Sequence, residues 1–106
     1  MTLSDFYEST TKNFDVTITL NGENPDISSD TVTIAFKKSK GGSVELTKEA
    51  DVTTQGASGI ASFALATSDT ALTPQDYFYE IYWNPASGGK YILESAMVTV
   101  LDSLSA

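Results

Sequence analysis

Residues 77–84 read Tyr77-Phe78-Tyr79-Glu80-Ile81-Tyr82-Trp83-Asn84, with the only tryptophan of the chain beside four other aromatic rings. Rings and β-branched side chains fit a pleated surface, and no Gly or Pro interrupts the run, so it is read as a strand. Successive side chains of a strand point to opposite faces. Tyr77, Tyr79, Ile81 and Trp83 therefore share one face, and Phe78, Glu80 and Tyr82 share the other. The first set is expected at the middle of a core. The second is mixed, and its two rings call for an explanation.

Other segments carry the same two-residue period. Phe14, Val16, Ile18 and Leu20 alternate with Asp15, Thr17 and Thr19, which predicts a half-buried strand with the apolar set inward. Asn21-Gly22 marks a turn after it. Ile27 is a lone apolar residue expected to tuck back onto the core. Val32, Ile34 and Phe36 are the inward set of the next strand. Val44 and Leu46, then Ala50 and Val52, suggest two weak strands. Ala61, Phe63 and Leu65 form one side of a stronger one. Residues 68–74 are a polar link anchored by Leu72, where a single helical turn capped by Ser68 would fit. After the aromatic strand, residues 90–94 are expected to pair back as a hairpin partner, and 96–100 to form a last strand with Ala96, Val98 and Val100 inward. Residues 1–12 are read as an N-terminal arm and 101–106 as a short tail. The arm can be a short edge strand, a short helix capped by Ser4 or Asp5, or a segment pairing with a neighbouring subunit through Phe6 and Tyr7. Seven to eight short strands with turn signals every 8–12 residues predict one all-β domain over 1–106, an antiparallel sandwich or small barrel.

Composition removes several function classes. The chain has 106 residues, enough for one core. It has no cysteine and no histidine, and all six basic residues are lysines. Disulfides, thiolate metal sites, Ser–His and Cys–His catalysis and an Arg fork for phosphate are thereby excluded. A net charge of −8 argues against nucleic acid and against an anionic membrane surface. No apolar run approaches the roughly 20 residues that span a bilayer. The first residues lack the basic and apolar regions of a signal peptide, so synthesis in the cytoplasm is expected.

The order of these pieces carries a resemblance. Phe6-Tyr7 begins an opening strand, followed by 14–20, a turn ending near Asp26-Ile27, and Thr31-Val32-Thr33-Ile34-Ala35-Phe36-Lys37. Then come Gly59 to Leu65, the link Ser68-Asp69-Thr70-Ala71-Leu72, Tyr77 to Ile81, Gly88-Gly89-Lys90 and a closing Val98-Thr99-Val100. This pattern resembles the immunoglobulin-like domain at the N-terminus of phage baseplate upper proteins and in related small tail-module proteins. It covers nearly the whole chain through core and turn patterns, without a catalytic signature. Where that family often has a Gly before the aromatic strand, this chain has Gln75-Asp76. The baseplate proteins are also longer, so the chain is expected to be a stand-alone relative or an excised domain. The resemblance implies an immunoglobulin-like antiparallel β-sandwich that serves as a virion structural part. It would belong to the tail or baseplate and act on itself or on other tail proteins without cofactor or catalysis.

The candidate sites follow. Carboxylates that could in principle act in pairs are Asp15, Glu45, Glu80, Glu94 and Asp102, but outward carboxylates on a sheet are ordinarily solvated, and glycosidase chemistry needs a flanked cleft. No nucleophile motif surrounds any serine, so no enzyme is expected. Asn21, Glu23, Asn24, Asp26 and Asp30 offer oxygen ligands that could suit calcium, without EF-hand spacing. The plainer reading is a turn whose side chains bond their own backbone, so no metal is assigned. Lys37, Lys38 and Lys40 read as a solvated strand end that discourages edge pairing. Phe78 and Tyr82 share a face that Tyr91 or Leu93 could extend, and exposed rings clustered this way mark an interface. The expected interface set is Phe6, Tyr7, Phe78, Tyr82 and Tyr91, suited to a ring homo-oligomer. The alternatives are coverage of these rings by the same chain, and a carbohydrate-binding or adhesion module stacking sugars on Phe78, Tyr82 and Trp83.

Overall fold

A computed structural model describes residues 3–104. Its strands are β1 (Phe6–Tyr7), β2 (Lys12–Thr17), β3 (Thr31–Lys37), β4 (Val44–Glu49), β5 (Ile60–Leu65), β6 (Asp76–Asn84) and β7 (Tyr91–Leu101). Five form one sheet in the order β1-β7-β6-β3-β4, and β2 pairs with β5 in a second sheet. The smaller sheet packs on one face of the larger, and their facing side chains form a single apolar core. This is an all-β, sandwich-like fold. All strand pairings are antiparallel except β1 with β7, which is parallel. Among the described residues the only helical element is a short 3₁₀ segment, Gly56–Ser58.

Strand β6 lies at the centre of the large sheet because it alternates without interruption. Tyr77, Tyr79, Ile81 and Trp83 are buried, and Phe78, Glu80 and Tyr82 are half-buried on the opposite face. The inward rings need partners for their polar atoms, since an unpaired buried donor is costly. The Tyr77 hydroxyl donates to the Thr73 carbonyl at 2.8 Å, a tyrosine corner that fixes the approach of the chain into β6. Trp83 Nε1 donates to Asp30 Oδ2 at 2.9 Å, and Oδ1 of the same carboxylate accepts the Ala86 N–H at 2.8 Å. Asp30 thus ties the loop before β3 to the β6–β7 turn. Tyr79 donates to Glu94 Oε2 at 2.7 Å. Burial, then the bond to Glu94 and its charge, push the Tyr79 hydroxyl up to about 12.

Between the sheets the chain changes sides at Ala50. Its N–H donates to the Val32 carbonyl in the large sheet, while Asp51 exchanges both backbone hydrogen bonds with Ser62 of β5. The two weak strands expected over 43–54 are therefore one strand in the large sheet and a single bridge to the small one. Asp51 accepts hydrogen bonds from the Thr54 and Thr53 hydroxyls and the Thr53 N–H, which hold its carboxyl at about 2.

Several local expectations are corrected by packing. Residues 90–94 and 96–100 are not two strands but one continuous β7. Strand β2 ends at Thr17, and Leu20 is exposed rather than inward. Asn21 and Gly22, at φ 53° and 80°, form a two-residue turn of type I′, and its bridge holds Leu20 opposite Glu23 away from the core. Thr70, a polar residue of the link 68–74, is fully buried and donates to the Thr10 carbonyl. The link opens with a single turn in which the Asp69 and Thr70 N–H groups donate to the Ala66 carbonyl, and Asp69 Oδ2, not Ser68, caps it by accepting the Ala66 N–H.

The N-terminal segment is part of the domain's own fold. Leu3 is fully buried, Asp5 accepts the Thr99 N–H at 2.9 Å, and the Glu8 N–H donates to the Leu101 carbonyl at 2.9 Å. Phe6, expected at an interface, is a core residue with 5% of its surface exposed, its ring edge-on to Phe36 at 6.5 Å. Parallel pairing with β7 sets Phe6 opposite Val100 and turns Tyr7 outward beside Leu101.

Candidate functional site

Among the described residues no second layer lies over the outer face of the five-stranded sheet, because the β2–β5 sheet takes the other face. Register places its rows directly. Met97, Phe78 and Lys37 are neighbours across β7, β6 and β3, as are Ser95, Glu80 and Ala35, and Ile92, Tyr82 and Thr33. Thr33 is itself buried on this face, opposite both Tyr82 and Glu49.

Two β-bulges enlarge the apolar part of this face. At the β6–β7 pairing, Ile81 faces Glu94 but Tyr82 faces Ile92, so Leu93 is an extra residue. At the β3–β4 pairing, Phe36 faces Leu46 but Lys37 faces Val44, so Glu45 is extra. A bulge inverts which side chains point outward beyond it. Ile92 and Val44 consequently stand on the outer face, 51% and 49% exposed, and Met97 joins them at 45%. None of these three was an interface candidate from sequence. For Ile92 and Val44 only the length-two period was legible, and a bulge breaks that period without a composition signal, whereas Met97 is turned outward by the period itself. Leu93, one expected extension of the patch, packs against the core instead. Tyr91, the other, sits opposite Trp83, on the core side at the sheet's end, 52% exposed and tilted against the indole at 5.2 Å. Of the five expected interface residues, the structure brings Phe78 and Tyr82 onto one face. Tyr7 is exposed at the β1 edge of the sheet.

Each outward ring is capped by a lysine. Lys40 Nζ lies 5.4 Å from the Phe78 centroid, and Lys90 Nζ lies 4.4 Å from that of Tyr82. A cation over a ring face is attracted by its quadrupole, by about 0.5–1 kcal/mol at an exposed site. Beside Phe78 is a shallow cleft lined by Ala35, Lys37, Lys40, Glu80 and Ser95.

The carboxylates weighed for chemistry are scattered. Glu94 accepts from Tyr79, Glu45 lies 3.9 Å from Lys38, and Glu80 lines the cleft. In the loop considered for calcium, Asp26 accepts the Ser28 N–H and hydroxyl, and those bonds hold its carboxyl below the usual range. Asp30 is engaged by Trp83 and Ala86. Among the described residues no three His, Cys, Asp or Glu side chains come together in a way that could hold a metal ion. No protein-family model, curated protein or solved structure matches the chain.

Proposed function

We propose that this chain is a non-catalytic assembly domain that works through protein–protein contacts, with the outer sheet face as its docking surface. The observation that carries the reading is that two apolar cross-strand pairs, Phe78 with Met97 and Tyr82 with Ile92, stand on the outer face either side of the Glu80–Ser95 pair. Aromatic and apolar side chains grouped on one sheet face among polar ones are characteristic of protein interfaces. The setting rests on the resemblance of the chain's strand and turn order to the immunoglobulin-like domains of phage baseplate upper proteins. It would place the domain in a virion tail, in contact with other tail proteins or with further copies of itself in a ring.

Tyr82→Asp puts a charge in the middle of the face without touching the core. Assembly of the chain with itself or with co-expressed tail proteins, followed by size-exclusion chromatography with light scattering, is expected to be lost in this variant while it stays folded, with melting lowered by no more than about 10 °C. Equal masses for wild type and variant would remove the face from consideration. A glycan array is expected to be blank. The sugar-stacking alternative loses its tryptophan, since Trp83 is only 6% exposed and committed to Asp30.

A further inference from the structure

We infer that the occupant of the outer face is an extended acidic segment of a protein partner, seated with a carboxylate between Lys37 and Lys40 and an apolar side chain on Phe78. The inference deepens the assembly reading and rests on it.

Charge is distributed unevenly. The chain carries fourteen acidic and six basic residues, yet three of the six lysines, Lys37, Lys40 and Lys90, border the outward rings and their cleft. Among the described residues the ion pairs use only Lys38, to Glu45, and Lys48, to Asp69. Lys37, Lys40 and Lys90 enter none. In a chain with net charge −8 these are cations that its own abundant carboxylates leave available. Glu80 lines the same cleft and offsets one charge, so the cleft is suited to a single carboxylate beside a hydrogen-bond donor, not to a polyphosphate. Ser95 adds a hydroxyl on the same row. The cleft is shallow, flanked by exposed Met97 and Val44, which suits an extended segment alternating acidic and apolar side chains.

A second copy of the same face is a poor occupant. One lysine caps the Phe78 end of β6 and another the Tyr82 end. Two such faces apposed in either strand direction set lysine-capped rings against lysine-capped rings. Like charges brought together at an interface are costly. A carboxylate partner instead draws the ammonium groups off the rings and frees the rings for apolar contact.

The probe is a capped eight-residue peptide alternating glutamate and leucine, titrated into the ¹⁵N-labelled full chain and followed by amide shifts. A peptide with lysine in place of glutamate is the control. Shifts are expected at Lys37, Phe78, Glu80 and Ser95, with affinity falling as salt rises. The double variant Lys37→Gln/Lys40→Gln, whose spectrum shows whether it folds, should bind about tenfold more weakly. No shifts at millimolar peptide, shifts centred elsewhere, or equal binding of the lysine peptide would overturn the inference. So would assembly that is lost in Tyr82→Asp but untouched in the lysine double variant, an outcome that leaves the face itself standing as an interface. Self-association abolished by the double variant would support the inference and identify the acidic segment as belonging to another copy.

Discussion

On its inward side β6 carries Tyr77, Tyr79 and Trp83, and on its outward side Phe78 and Tyr82. The rings are of the same kinds, one residue apart, and are held in different ways. Each inward ring has its polar atom bonded to one fixed partner: the Thr73 carbonyl, Glu94 and Asp30. The outward rings are covered by lysine side chains whose bases lie in or beside turns. A buried hydrogen bond has one good geometry and resists change. A lysine stem over a ring is flexible and can leave when something better arrives. Aromatic content alone therefore does not separate the two faces of the strand; the fixity of each ring's partner does.

The contrast can be broken most sharply by truncating one ring on each side. Trp83→Ala should cost about 3–5 kcal/mol, as large-to-small changes in a core do. Phe78→Ala should cost about 1 kcal/mol, since it loses partial cover and a cation contact. Urea unfolding of both variants measures the difference, and equal losses would erase the distinction between the faces. A smaller effect is expected at Asp30. Asp30→Ala leaves the Trp83 N–H and the Ala86 N–H without their acceptor and should lower stability by about 1–3 kcal/mol. Faster amide exchange should be confined to the β6–β7 turn and the loop before β3. Unchanged exchange at Ala86 would show that the carboxylate is not the tie between those loops.

The smallest effect is confined to alkaline solution. Burial and Glu94 raise the Tyr79 hydroxyl to about 12, above the value near 10 of an unfolded tyrosine. Its contribution is thus fully present below about pH 10 and is lost as pH rises toward about 12, because the unfolded chain gives up the proton first. Burial raises Tyr77 as well, with Glu45 adding to it, so the two act in the same direction. Tyr79→Phe should make stability fall less steeply over that range, read from urea midpoints. An identical slope in the variant would mean that Tyr79 ionises as easily folded as unfolded.

Much of this was legible in the chain because alternation is a local property. Fixing Tyr77, Tyr79, Ile81 and Trp83 as one set needed only the two-residue period, and the structure buries all four. Val32, Ile34, Phe36, Ala61, Phe63 and Leu65 were assigned inward in the same way, and Ile27 was expected on the core as a lone apolar residue; all are buried. The misassignments share another cause. Phe6 has no alternating neighbours, and its place depends on β7, more than ninety residues away. Ile92 and Val44 point outward because of bulges, which arise when two strands with their own spacing are paired. Leu20 leads into a turn whose two positive φ angles override the period.

By itself the sequence determined an all-β chain, the sides of its principal strands and the chemistry its composition forbids, since each depends on residue type and on spacing along one strand. Tertiary structure alone decided that the N-terminal segment belongs to the core, that two bulges widen the outer face, and that unpaired lysines gather there beside the rings. Those outcomes depend on which strands become neighbours, and strand neighbours are chosen by the whole core at once, not by any segment within it.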